Sequence, residues 1–437
     1  MTDEASTVKG SPGQGNGLTD ASRVSLHPLA ARRDGEGWIV GRSDTGDFIA
    51  LPDLAVTLLD ALRGGGTIGE AKLAADSAHG GDVDALDFCA SLIALGYVAS
   101  VDGVDLDGEK PRPPSLRRLR PGHVAWLFST PAWLSGLIAT VAGFCIAAPL
   151  HALPTTSAFF IVRDQGVNLL LVTAIAMAMI ALHEFCHLAA ARAAGVDAWF
   201  GWGTRLAFLV AQTAVPGLWM ARRRARVKVY AAGVGCDLLL SACAAVGAGV
   251  LGPGSFGGRV LEAVSLNGLV VVLLQFEFYM RTDVYFVIQD LTGCKRLFDD
   301  ATAYLGYLAA QRFRRSGSAD RRDPRLSVPA GERRPVTVYA WIVLVGSAVT
   351  LTVFARYGIP VVAQVYLRSG RELVGGFTGG RPLRSVDGAC ALLATAPLDL
   401  LLVRTLLRNH GGRLHRMLRH RLPNRARAGR GPSVDRA

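Results

Sequence analysis

The sequence predicts a multi-pass α-helical membrane protein of about six spans with a small N-terminal α+β winged-helix-like soluble domain. Three observations carry this. Half of the 437 residues are hydrophobic and only 19% are charged, too apolar for an ordinary two-domain soluble protein. The apolar residues fall into blocks of about 20, the length that crosses roughly 30 Å of hydrocarbon at 1.5 Å per residue. The first hundred residues instead carry the turn and cap signals of a compact globular module.

Residues 1–22 are polar and rich in Gly, Ser and Asp, and read as a disordered lead without an apolar signal segment. The module proper is expected over 23–106. Gly37-Trp38-Ile39-Val40 and Asp47-Phe48-Ile49-Ala50-Leu51 flank a Ser-Asp-Thr-Gly turn and predict a hairpin. Pro52 opens a short helix through Leu62, and Thr67-Ile68-Gly69-Glu70 is a capping box that starts a second. A third helix is expected over 83–95, then a closing strand from Tyr97 to Val101.

That order, with the segments "GDFIALPDLAVTLLDAL" (46–62) and "LIALGYVASVDG" (92–103), resembles the PqqD-like peptide-recognition domain found with ribosomally made, modified peptides. The resemblance implies that this module binds a peptide. Residues 24–105 carry more acids than bases, which excludes phosphate-backbone contacts and with them nucleic acid as a partner.

A Pro/Arg linker (107–122) leads to spans expected at about 124–150, 167–191, 229–251, 260–282, 336–358 and 385–406. The first four lie in a core of 123–297. A basic cytoplasmic loop (298–335), a segment with two further spans (336–406) and a basic tail (407–437) follow. The net charge of +12 sits beside the apolar blocks, as a cytoplasmic membrane surface favours. Lys110, Arg112, Arg117, Arg118 and Arg120 precede the first span, whereas the next loop has only Arg163; Arg222, Arg223, Arg224, Arg226 and Lys228 precede the third. The rule places the N-terminus and the even-numbered loops in the cytoplasm, in a cell (inner or plasma) membrane. Arg368, Arg371 and Arg381, between the last two spans, run against it. The arginine-rich tail fits anionic lipid as its partner. Seven cysteines without CxxC spacing, mostly in spans, read as core thiols rather than a disulfide framework.

The second span ends in His183-Glu184-Phe185-Cys186-His187. Residues i and i+4 share a helix face, so two imidazoles can reach one tetrahedral zinc ion while Glu184 acts beside them as general base and acid. Ionisable groups at membrane depth are costly unless paired or metal-bound, so this cluster requires a partner. A catalytic zinc takes three protein ligands. Asp237, Glu262, Glu277, Asp283 and Asp290 are the candidates for the third, and Asp283, at the end of a span parallel to the second, stands at matching depth.

The stretch 167–297 resembles the site-2 protease family of intramembrane zinc metalloproteases, in particular its bacterial branch of peptide zinc metalloproteases. The motifs are His183 to His187, "AAGVGCDLLLSA" (231–242) and "RTDVYFVIQDLTG" (281–293). The resemblance implies Asp283 as third ligand. It also puts Asp237, which stands where the family has asparagine, forward as a substrate-side residue, while Val284 stands where the family has glycine; Asn267 is a further substrate-side candidate. Between the second and third spans, "DAWFGWGTRLAFLVAQTAVP" (197–216) predicts a membrane-associated hairpin whose edge can hold an unwound substrate by β-augmentation. The function expected is a zinc endopeptidase cleaving a peptide or membrane protein, in maturation or export of a modified peptide. The alternative is a non-proteolytic membrane component, a peptide-handling or immunity partner, with structural zinc or none.

Overall fold

The structure is a computed structural model describing residues 17–421, other than 35–36, 43, 46, 81–82, 107–112, 207, 295, 313–321 and 380. Most of the expected N-terminal lead, residues 107–112 of the linker and the last 16 residues of the tail lie outside the described residues, as do all side chains from 409 onward. The chain divides into two compact units, Met1–Arg163 with Leu171–Gly201 and Ala211–Thr350, and Asp164–Leu170 with Trp202–Val210 and Leu351–Ala437.

In the first unit the N-terminal module contains β1 (Val24–Leu26), β2 (Ala30–Asp34), β3 (Gly37–Arg42), β4 (Asp47–Leu51), α1 (Asp53–Arg63), α2 (Ile68–His79), α3 (Ala85–Ala94), β5 (Val98–Val101) and β6 (Val104–Asp105). The expected hairpin pairs Trp38 with Leu51 and Arg42 with Asp47. β2 joins it to make one three-stranded sheet, and β1, β5 and β6 make a second. The sequence reading lacked β1, β2 and β6, short strands with little alternation. The capping box is formed: the Glu70 amide donates to the Thr67 hydroxyl at 3.2 Å, and the Thr67 amide to the Glu70 carboxylate at 2.8 Å. Leu58, Leu59, Leu62, Ile68 and Tyr97 are buried at the centre. Burying these side chains drives the fold of a module this small.

Among the described residues of the module, Arg42 is the charged side chain that is buried. Its guanidinium grips Asp44 at 3.0 and 2.7 Å and donates to the Gly96 carbonyl at 2.8 Å, tying the hairpin to the turn after α3. Arg32, on β2, donates to the carbonyl of Trp219 at 3.2 Å and to that of Ala221, so the module's sheet is anchored on the segment that leads into the membrane core.

Among the described residues six helices are long and apolar enough to cross a membrane, the architecture of a multi-pass membrane protein. After a short helix α4 (Pro121–Val124) come α5 (Thr130–Ala147), α6 (Gln165–Ala193), the hairpin β7 (Trp199–Arg205) and β8 (Phe208–Ala214), α7 (Arg223–Leu251) and α8 (Phe256–Leu274). At most 33% of any of their apolar windows is buried. Leu137, Ile138, Val250 and Leu273 point outward instead, as lipid-facing side chains do. α7 packs against α5 and α8 through small residues, Ala242, Ala244, Ala245 and Ala248, which allow close backbone approach.

Two expectations are corrected. The fourth span does not run on to Thr282: α8 ends at Leu274, a 3-10 turn covers Phe278–Met280, and Asp283 opens a separate helix, α9 (Asp283–Thr292). Arg281 takes a left-handed backbone, φ 60°. Gln275 staples the break, its carbonyl accepting from the Thr282 hydroxyl and its side-chain oxygen from the Asp283 amide at 3.0 Å. The basic connection after it is partly helical, with α10 at Leu297–Arg312.

The fifth span likewise does not stop near 358. α11 (Arg333–Val353) passes through a π-helical turn at Phe354–Gly358 into α12 (Ile359–Thr378), 46 residues in all. Pro360 lacks the amide an α-helix needs, and a π turn just before it absorbs that loss. In the second unit α12 and α13 (Pro382–Arg421) form an antiparallel pair, with the Tyr366 hydroxyl donating to Asp399 at 2.6 Å. Asp387 of α13 accepts from the amides of Gly166 and Val167 at 2.8 and 3.0 Å, satisfying the first turn of α6. A Cβ at Gly166 would overlap the Asp387 carbonyl.

Leu59→Ala is expected to destabilise the N-terminal module by about 3 kcal/mol. Hydrogen exchange on the full chain should then show faster exchange in α1 and β3 with the membrane helices unchanged. The Arg42 guanidinium holds the Asp44 carboxyl below its usual range. A depressed carboxylate pKa stabilises above the unfolded value and ceases to do so as pH falls below about 4. Exchange protection of β3 and β4 should therefore fall with acidification more steeply in the wild type than in Asp44→Asn.

Candidate metal centre

Helix α6 carries His183, Glu184 and His187 into the interior, where they are 5%, 8% and 6% exposed. One helical turn separates the two histidines, so both rings fall on the face that meets α7. The break after α8 brings Asp283 to them at the first position of α9. Oδ2 of Asp283 lies 3.1 Å from Nε2 of His183 and 3.1 Å from Nε2 of His187, and the two Nε2 atoms are 3.1 Å apart. Of the five candidates for a third ligand, Asp283 is the one that joins the histidines in a cluster able to hold a metal ion.

Hydrogen bonds on the far side of each ring set the tautomers. His183 Nδ1 donates to Oδ2 of Asp237 at 2.7 Å, and His187 Nδ1 donates to the Val229 carbonyl at 2.7 Å. With both Nδ1 hydrogens committed, both Nε2 atoms present lone pairs to the centre. Two ring nitrogens and a carboxylate oxygen then face one another at 3.1 Å, a group able to hold a metal ion. Ligand atoms at about 2.0–2.1 Å from zinc in tetrahedral geometry are about 3.3 Å apart. The observed separations of 3.1 Å match this spacing, so the donor set fits a tetrahedral divalent ion.

One face of α7 forms the wall behind the histidines. Val229, Gly233 and Asp237 recur at four-residue spacing. A Cβ on Gly233 would come within 2.6 Å of His187 Nε2 and closer still to the His183 ring. Glycine here is required by close approach, which the Gly-rich stretch of the sequence hinted at without locating.

The hairpin delivers a residue that the sequence reading missed. The Thr213 hydroxyl, near the end of β8, donates to the Glu184 carboxylate at 2.6 Å. Nothing in the sequence distinguishes this threonine from other strand residues; only the fold of β8 onto α6 does. The remaining candidates are placed elsewhere. Asn267 donates to the Ala263 carbonyl of its own helix at 3.1 Å. Asp290 is held by Arg226 in a bidentate pair at 3.0 and 2.6 Å, with the Trp219 ring against the guanidinium. That buried pair pins α9, and with it Asp283, to the start of α7. Asp283 is the least covered side chain of this cluster, at 20% exposure.

Metal analysis of purified protein should give one divalent ion per chain in the wild type and none in His187→Ala or Asp283→Ala. Gly233→Ala should lose metal affinity at least tenfold while keeping its helical circular dichroism, because the added methyl occupies the space of the ligand rings. Comparison of the chain with protein-family models, with curated proteins and with solved structures gives no match.

Proposed function

We propose that this chain is a membrane-embedded, zinc-dependent endopeptidase of the site-2 protease type, with zinc held by His183, His187 and Asp283 and with Glu184 as general base and acid. The observation that carries the reading is the convergence of two imidazole lone pairs and one carboxylate oxygen within 3.1 Å, beside a hydroxyl-anchored glutamate on the same turn of an apolar helix.

When bound, zinc supplies Lewis acidity toward a peptide carbonyl and acidifies the attacking water. Glu184 takes the proton of that water and delivers it to the amine that leaves as the C–N bond breaks, ending the cycle as the carboxylate it began as. Thr213 fixes the orientation of Glu184 and, as the hairpin's last strand, couples its position to whatever binds there. The hairpin β7–β8 is the element that would hold a substrate segment unwound from its own helix, by β-augmentation. The N-terminal module, in its resemblance to PqqD-like domains, recruits the peptide and raises its local concentration at the site. Its anchor through Arg32 to Trp219 keeps it on the chain leading into α7. The arginine-rich connections favour a cytoplasmic position for the module and for the active-site side.

The test is a comparison of peptide N-termini in cells carrying the wild type or Glu184→Gln. New N-termini from membrane proteins or short precursor peptides should depend on Glu184, with cleavage falling by about 10²- to 10⁴-fold in the variant while its metal content stays at the wild-type level. Undiminished cleavage by Glu184→Gln would overturn the mechanism, and the absence of any new N-terminus that depends on this chain would favour the non-proteolytic reading. Thr213→Val should reduce cleavage less than Glu184→Gln does, and Thr213→Ser should restore it.

A further inference from the structure

Asp237 is one of the most deeply buried acidic side chains in the molecule, 1% exposed, on a helix apolar enough to cross a membrane. A carboxylate so placed is costly unless something on the protein compensates it. Its partner is Nδ1 of His183 at 2.7 Å, and the other nitrogen of that ring belongs to the metal cluster. The second histidine is treated differently. Nδ1 of His187 meets the neutral backbone carbonyl of Val229, two helical turns before Asp237 on the same face of α7. A carbonyl selects the tautomer and does no more. A carboxylate selects the tautomer and also draws the Nδ1 proton, which makes Nε2 a stronger electron donor.

We propose that Asp237 is a positioning residue that acts through His183, holding its ring and strengthening its Nε2 as a metal ligand, so that the two histidines of the centre are unequal. This rests on the reading of His183, His187 and Asp283 as a metal site. The asymmetry is built into α7. The helix contributes a backbone acceptor at Val229, an open space at Gly233 and a charged acceptor at Asp237, in register with His187 and His183 on the antiparallel α6. The carboxylate also adds negative charge to a centre that already holds Asp283 and Glu184, which favours a doubly charged ion over a singly charged one.

The experiment uses the full chain in lipid nanodiscs with Zn²⁺ and Co²⁺ as probes. Zinc affinity is measured by competition with a chelator, and the cobalt ligand field by visible absorption, for wild type, Asp237→Ala, Asp237→Asn and His187→Ala. Asp237→Ala is expected to bind zinc about 10- to 100-fold more weakly and to show altered cobalt bands. Asp237→Asn keeps an oxygen acceptor for Nδ1 but loses the charge, so it should recover part of the affinity and still differ from wild type in the cobalt spectrum. Wild-type affinity and spectrum in Asp237→Ala would overturn the proposal. If Asp237→Ala fails to fold by circular dichroism, Asp237→Asn decides, and an unchanged affinity and spectrum there overturn the role of the charge. A wild type that takes up no zinc, or a His187→Ala variant that binds as wild type does, would sink the metal reading itself rather than the part assigned to Asp237.

Discussion

Two imidazole nitrogens and a carboxylate oxygen converge at 3.1 Å in the buried part of the first unit, an arrangement able to hold a metal ion. Much of the first unit serves to hold that arrangement. α6 supplies both histidines from one turn, α7 supplies the two acceptors that fix their tautomers, and the break after α8 turns Asp283 toward them. Each contribution depends on backbone approach. With a side chain at Gly233, α7 could not come close enough for Val229 and Asp237 to reach the rings.

A second set of contacts fixes the carboxylate ligand from a distance. Asp290, two turns along α9 from Asp283, is gripped by Arg226 near the start of α7. The Arg226 guanidinium also donates to the Ala221 carbonyl at 3.3 Å, and Arg32 of the N-terminal module donates to that same carbonyl. The chain around Trp219 and Ala221 is thus shared by the module's sheet and by the pair that orients α9. A shift of this segment would be felt both at β2 and at Asp283, which gives the attachment of the module a direct physical connection to the centre.

Glu184 has its own support, independent of the ligands. Thr213 binds it from the end of a hairpin that contributes no ligand. The His183, His187 and Asp283 cluster and the Glu184 carboxylate are therefore held by different elements. They meet because α6 is 29 residues long and extends past the apolar stretch to present its last turns to all of them.

The sequence by itself determined the elements whose signals are local. Six apolar blocks, the Thr67 capping box, the hairpin around Arg42 and Asp47, and the pairing of His183 with His187 all follow from residue spacing, because periodicity and caps act within a few positions. Asp283 stands out among the five candidates by its depth and by the motif it opens. The end of α8 at Leu274 was not legible, since Phe276, Phe278 and Met280 keep apolar residues beyond it, and the break is made by Gln275 hydrogen-bonding seven and eight residues ahead. The run from α11 into α12 was hidden in the same way, because Pro360 reads as a stop until a π turn is found to accommodate it. Thr213, Gly233 and the attachment of Asp237 to His183 were decided only by tertiary structure. They link residues 29 to 54 positions apart, and the physical quantity that matters there, the distance between two packed helices or between a strand and a helix, is not a property of any local stretch of chain.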